Sequence, residues 1–137
     1  MENVAINLEH LRKKIHRMAL NCGRNPATVK LMAVSKKFPI QQIETALATG
    51  QRLFGENRVQ EAEGKILALA NPDMEWHLIG PLQSNKAARA VELFDVIQTL
   101  DRLKIADKVN DFALKSGKVM KVFIEVNIGK EPQKHGV

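Results

Sequence analysis

The chain has 137 residues, 45% of them hydrophobic, with 21 basic and 15 acidic side chains and a formal charge of +6. That suffices for one domain with a real core and excludes a fibrous or strongly charged disordered chain. A single cysteine, Cys22, excludes an intrachain disulfide and a cysteine-rich metal site, one Trp and no Tyr supply no aromatic ladder for nucleic acid, and no apolar run nears the ~20 residues that span a bilayer.

The basic residues are spread over most of the chain. Their densest cluster, Arg12, Lys13, Lys14, His16 and Arg17, lies on a first amphipathic helix whose other side carries Leu8, Leu11, Ile15 and Met18. It reads as a solvated face rather than a polyanion site. The N-terminal stretch lacks the 7–15-residue apolar segment of a signal peptide. With the lone cysteine, this predicts a cytoplasmic protein without a nucleic-acid or membrane partner.

After the turn signal Asn25-Pro26, Lys30 to Lys36 reads as a strand buried on both faces. Pro39 suits the first turn of the next helix, Ile40, Ile43, Ala46 and Leu47 form its apolar stripe, and Gly50 can take the left-handed conformation that ends it. A short strand at Arg52 to Phe54 leads through Gly55-Glu56-Asn57 into a helix with Val59, Ala62, Ile66 and Leu69 on one face. Asn57 and Gln60 there have the spacing of a capping box. Met74 to Ile79 is a third strand, followed by a Gly80-Pro81 turn and a helix entered through Ser84 as N-cap. Phe94 to Leu100 is a fourth strand, Asp101 caps a helix carrying Leu103, Ala106, Val109 and Phe112, and Val119 to Ile128 is a long fifth strand.

Five strands separated by helices imply parallel pairing, because parallel neighbours need crossover connections. The expected fold class is α/β, a (βα)n partial TIM barrel of about five parallel strands with an extra N-terminal helix. A whole eight-unit barrel takes about 250 residues. Residues 1–137 therefore read as a single N-terminal portion of a barrel, its later strands absent. The open edge of the fifth strand and its apolar residues Val122, Ile124, Val126 and Ile128 predict self-association that completes the barrel. A five-stranded doubly wound sheet is the alternative, although no Gly-x-Gly-x-x-Gly or Walker pattern supports its usual nucleotide site.

Lys36 ends the apolar run Leu31-Met32-Ala33-Val34, at the carboxyl end of a strand, where α/β proteins place their chemistry. A lysine attacks a carbonyl only as the neutral amine, and desolvation lowers the usual pKa of ~10.4 by up to several units. Lys36 is thus a candidate Schiff-base lysine, the plainer reading being a solvated strand end with Lys37. Glu56 and Asn57, His77 and Asn127 reach the same rim from three other strands. Singly, Asn57 reads as a cap, His77 as a satisfied histidine and Asn127 as a turn stabiliser. Gathered at several strand ends, they mark a site.

Ala33-Val34-Ser35-Lys36, Phe54-Gly55-Glu56-Asn57, Trp76-His77-Leu78-Ile79-Gly80-Pro81-Leu82-Gln83-Ser84-Asn85-Lys86 and Val126-Asn127-Ile128-Gly129 resemble, in order and spacing, the motifs of the pyridoxal-phosphate homeostasis proteins of the YggS/PROSC type. The resemblance implies a fold-type III pyridoxal 5'-phosphate barrel similar to the N-terminal domain of alanine racemase. In it Lys36 would hold the cofactor as a Schiff base, Asn57 and His77 would line its pocket, and Gln83, Asn85 and Lys86 would be rim residues. It further implies a carrier or regulator of pyridoxal phosphate without robust turnover, and no catalytic residue or metal. The phosphate cradle lies in a part of the relatives that this chain lacks, so weak cofactor retention is expected. Two rival readings are an amino-acid racemase, for which the chain lacks a tyrosine as second base, and a half-barrel interaction module without cofactor.

Overall fold

A computed structural model describes residues 3–137. Helix α1 (Val4–Asn21) is followed by strands β1 (Ala33–Val34), β2 (Leu53–Glu56), β3 (Glu75–Leu78), β4 (Val96–Leu100) and β5 (Lys121–Ile124). Between them run helices α2 (Ile40–Ala48), α3 (Val59–Leu69), α4 (Ala87–Leu93) and α5 (Leu103–Lys115). All four strand pairings are parallel and the spatial order is β1-β2-β3-β4-β5. A doubly wound sheet reverses its strand order at a switch point. This sheet never reverses, so it is a stretch of barrel wall.

Strand alternation divides the side chains into two sets. Phe54, Trp76, Leu78 and Ile97 point toward the helices and join Ile43, Ala62, Ala90, Val91, Phe94, Ile105 and Val109 in the core. Phe54 and Trp76 meet with ring centroids 5.4 Å apart and planes tilted by 32°. Burying each such large side chain contributes ~1.5–3 kcal/mol. The core therefore lies between sheet and helices, and Val34, Gly55, His77 and Val96 share one level of the opposite face.

Several local expectations are corrected by this packing. The first strand is two residues long rather than seven, and Val34 is 45% exposed, because β1 has a partner on one side only. The second extends through Glu56, so Gly55 and Glu56 belong to the strand and not to the turn. α3 then begins with Arg58 as N-cap. Asn57, one residue too early, cannot form the capping box, which requires the side chain at the N-cap itself. Ser84 opens a single 3₁₀ turn (Ser84–Lys86) instead of capping α4. Asp101 binds the Arg102 guanidinium through both carboxylate oxygens, at 2.6 and 2.8 Å, and leaves α5 without a side-chain cap. α5 buries Ile105, Val109 and Ala113 while Leu103 is 82% exposed, so its stripe is rotated from the expected one. The fifth strand is four residues rather than ten, and all four are exposed.

The basic cluster of α1 is only partly a solvated face. Arg12 reaches across to α2, donating to the Thr49 carbonyl at 2.7 Å and to Gln51 Oε1 at 2.9 Å, while Leu11 and Met18 remain exposed. Among the described residues no helix is long and apolar enough to cross a membrane.

Candidate functional site

The carboxyl ends of the strands are built by three interlocking contacts. Ser35 N donates to the Gly55 carbonyl at 2.9 Å, which carries the β1–β2 pairing one residue beyond β1. Ser35 O then accepts from Phe38 N at 3.1 Å, closing a four-residue turn with Lys36 and Lys37 at its centre. Lys37 has φ +64°, whereas Lys36 is not among the residues of positive φ. That combination is of type II, whose third position favours glycine, and a lysine there costs on the order of 1 kcal/mol.

The second contact lies beneath this turn. Glu56, the last residue of β2, is 0% exposed, and Lys65 of α3 is 7% exposed. Lys65 Nζ donates to Glu56 Oε1 at 2.7 Å, to Glu61 Oε1 at 2.7 Å and to the Ser35 carbonyl at 2.8 Å, which engages all three ammonium hydrogens. Ser35 Oγ adds a 2.6 Å bond to Glu56 Oε1, and Lys37 N donates to Glu61 Oε1 at 2.5 Å. The hydrogen bond from Lys65, together with that from Lys37 N and the nearby positive charges of Lys65 and Arg58, holds the Glu61 carboxyl below its usual pKa against the opposing effect of burial.

The third contact joins β2 to β3. Gly80 lies so close to the backbone of Asn57 that an added Cβ would stand 2.2 Å from the Asn57 carbonyl oxygen. Thr99 Oγ1 donates to the Gly80 carbonyl at 2.7 Å and draws β4 into the same rim. A polar cavity of about 530 Å³ opens here, lined by Asn57, Arg58, Gln60, Gln83 and Lys86 among others. A cavity of about 560 Å³ lies near the Leu53 end of β2, where Arg12 is bonded to Thr49 and Gln51, and Gln51 to the Leu31 and Leu53 carbonyls. Barrels keep chemistry at the carboxyl end and stability at the other.

Lys36 is exposed and, among the described residues, has no side-chain hydrogen bond or ion pair, in contrast to fully engaged Lys65. Its exposure is that of the solvated strand end, the plainer of the two sequence readings, and not that of the buried lysine which desolvation would activate. Asn57 is half-buried, one residue past the end of β2. His77 is level with Gly55, one side-chain layer deeper, about 6–7 Å below that rim. Both its nitrogens are occupied, Nε2 by Glu75 Oε1 at 2.9 Å and Nδ1 by Gln98 Nε2 at 2.8 Å. A ring with Nε2–H donating and Nδ1 accepting meets both partners. The hydrogen bond to His77 is the main reason that Glu75 is held below its usual pKa.

Asn127 is spent on its own loop, bonding Glu131 N at 3.2 Å and Glu131 O at 3.0 Å, as a turn stabiliser does. Gln83 and Asn85 are exposed on the rim, and Lys86 is half-buried. Sequence reasoning missed Lys65. Its signal was a lysine three residues after Ala62, on the apolar stripe of α3.

Comparison with known proteins places this rim in context. The family pattern of the alanine racemase N-terminal domain matches residues 6–137. The pyridoxal phosphate homeostasis protein of Vibrio alginolyticus is 43% identical over 141 aligned positions and that of Escherichia coli 44% over 140, each covering 100% of this chain. The chain spans about 60% of the length of these relatives. Among solved structures, PipY of Synechococcus elongatus with pyridoxal phosphate bound superposes with a TM-score of 0.77 at 42% identity, over 90% of this chain and 57% of that one. A Bifidobacterium adolescentis protein described as unknown gives 0.84 at 30% identity, over 98% and 58%.

Proposed function

The chain belongs to the alanine racemase N-terminal-domain family, and from that premise we propose that it binds pyridoxal 5'-phosphate through Lys36 and serves pyridoxal-phosphate homeostasis as a carrier or regulator rather than a robust catalyst. The observation that carries the reading is the place of Lys36 just past the carboxyl end of β1, its amine without a partner among the described residues, whereas Lys65 of α3 has every hydrogen engaged. When bound, pyridoxal phosphate supplies an aldehyde that condenses with a lysine amine with loss of one water. The residues fit such a group. Lys36 offers the amine, half-buried Asn57 has no side-chain partner among the described residues, and His77 lies on the inner sheet face level with Gly55, its ring held by Glu75 and Gln98. Arg58 and Lys86 border the adjoining cavity and supply positive charge near an incoming phosphate. The names of the homeostasis relatives and of ligand-bound PipY support the choice of ligand.

Titration with pyridoxal phosphate is expected to raise an absorbance near ~420 nm that Lys36→Ala abolishes. Borohydride reduction should then fix the added mass on the peptide containing Lys36. A band that survives Lys36→Ala, or no band with the unaltered chain, overturns the assignment.

The exposed strip of β5 and its sequel, Phe123, Ile124, Val126 and Ile128, supports self-association through this open edge as a second element of the proposal. Sedimentation should give a species larger than one chain, and a strictly monomeric boundary at micromolar concentration would rule it out. The exposed free thiol of Cys22 suits a reducing, cytoplasmic setting.

A further inference from the structure

We propose that Lys65, acting with Glu61, is the positioning residue that presents the Lys36 amine, a role that rests on the cofactor reading above. Lys36 is flanked by two backbone groups, and both are gripped from α3. The carbonyl before it, on Ser35, accepts from Lys65 Nζ at 2.8 Å, and the amide after it, on Lys37, donates to Glu61 Oε1 at 2.5 Å. Lys65 and Glu61 are one helical turn apart and bonded to each other at 2.7 Å, so the two grips form one clamp. Its anchor is Glu56, at the end of the strand that pairs with β1.

The clamp has a clear task. A turn with Lys37 at φ +64° is not one that a lysine adopts readily, and without support it would relax and carry Lys36 with it. The exposed Lys36 side chain has no hydrogen bond or ion pair among the described residues to orient it, so its direction depends on the backbone. Burying an ion pair is seldom the most stable solution for a core position, because a well-packed apolar pair of similar volume is often as stable or more so. A charged pair whose spare hydrogens end on the backbone around one exposed lysine is instead suited to fixing that backbone. Effective attack on a carbonyl depends on such placement, since a displacement on the order of 1 Å can lower a rate by up to ~100-fold.

The test uses the whole chain with pyridoxal phosphate as probe and follows the rate of band formation, the borohydride-trapped mass on Lys36 and hydrogen exchange of the Lys37 amide. Three variants separate positioning from mere stability. Glu61→Ala removes one grip at a partly exposed site, Glu61→Gln keeps an acceptor oxygen there, and Glu56→Leu/Lys65→Met replaces the buried pair by apolar groups of similar size. Expected are adduct formation on Lys36 slowed ~10-fold or more in Glu61→Ala and in the double variant, faster Lys37 exchange in both, and recovery of much of the rate in Glu61→Gln. These changes should appear while the variants keep the unaltered chain's circular dichroism and stay fully folded at the assay temperature. Folded variants with unchanged adduct rate or unchanged Lys37 exchange overturn the clamp alone. No adduct on Lys36 in the unaltered chain overturns the cofactor reading and the clamp's purpose with it.

Discussion

Lys65→Met is expected to lower the unfolding free energy by ~3–5 kcal/mol, the usual cost of stranding one member of a buried ion pair. Glu56 would keep only the 2.6 Å bond from Ser35 Oγ for Oε1, while its Oε2 already lacks a partner among the described residues. Methionine matches the lysine stem in length, so the loss reflects the charge and not a cavity. Urea denaturation measures it, and a loss below ~1 kcal/mol would contradict the burial of Glu56 as a charged group. Replacing Glu56 by leucine as well should recover most of the loss, because no buried carboxylate is then left behind. Acid adds a signed check. Glu61 has a depressed folded pKa whose largest cause is the hydrogen bond from Lys65. Its contribution is therefore fully present above the unfolded glutamate value of ~4.3 and is lost as pH falls through the lower folded value. Lys65→Met removes that cause, so the Glu61 part of the difference between the two proteins should shrink over that same acid interval.

Gly80→Ala should cost ~3 kcal/mol or prevent folding, the upper range for a side chain forced into filled space. The added carbon would meet the Asn57 carbonyl oxygen at 2.2 Å and its Cα and carbonyl carbon at 2.8 Å each. All three are backbone atoms at the end of β2 and cannot swing aside. Gly55→Ala is the internal control. Its Cβ would meet Met32 Sδ at 2.7 Å, the end of a flexible side chain, so the cost should be ~1 kcal/mol. Neither glycine has positive φ, so the contrast isolates crowding from backbone preference. Equal melting temperatures for the two variants would show that the contact between the β2 and β3 ends is looser than described.

The order of elements was legible because periodicity switches cleanly between two and 3.6 residues along the chain, and Lys36, Asn57 and His77 stood out as candidates because they follow or close apolar runs. Boundaries were less so. Apolar content marks Leu31 and Met32 as strand-like, but a strand exists only where a partner is in register, and β1 has one neighbour, with two residues paired. Caps failed too, since α3 begins one residue later than Asn57 requires, Ser84 opens a 3₁₀ turn, and Asp101 is taken by the Arg102 guanidinium. Lys65 was hidden because an isolated lysine on an apolar stripe looks like a flaw until its acceptors, 30 residues away at Ser35 and 9 away at Glu56, are brought to it by the fold. The exposure of Lys36 was legible as the plainer reading of two adjacent lysines at a strand end, whereas the turn that holds it was not.

The unbroken order β1-β2-β3-β4-β5 bears on how the molecule is made. Every strand partner lies only about 20 residues away along the chain, so each new unit can dock on the one before it without waiting for a distant segment. Such a chain can assemble progressively as it leaves the ribosome, from the N-terminus onward. The Ser35 turn can be held as soon as α3 emerges, well before β5 is synthesised, so the backbone around Lys36 is set in place early in the life of the polypeptide.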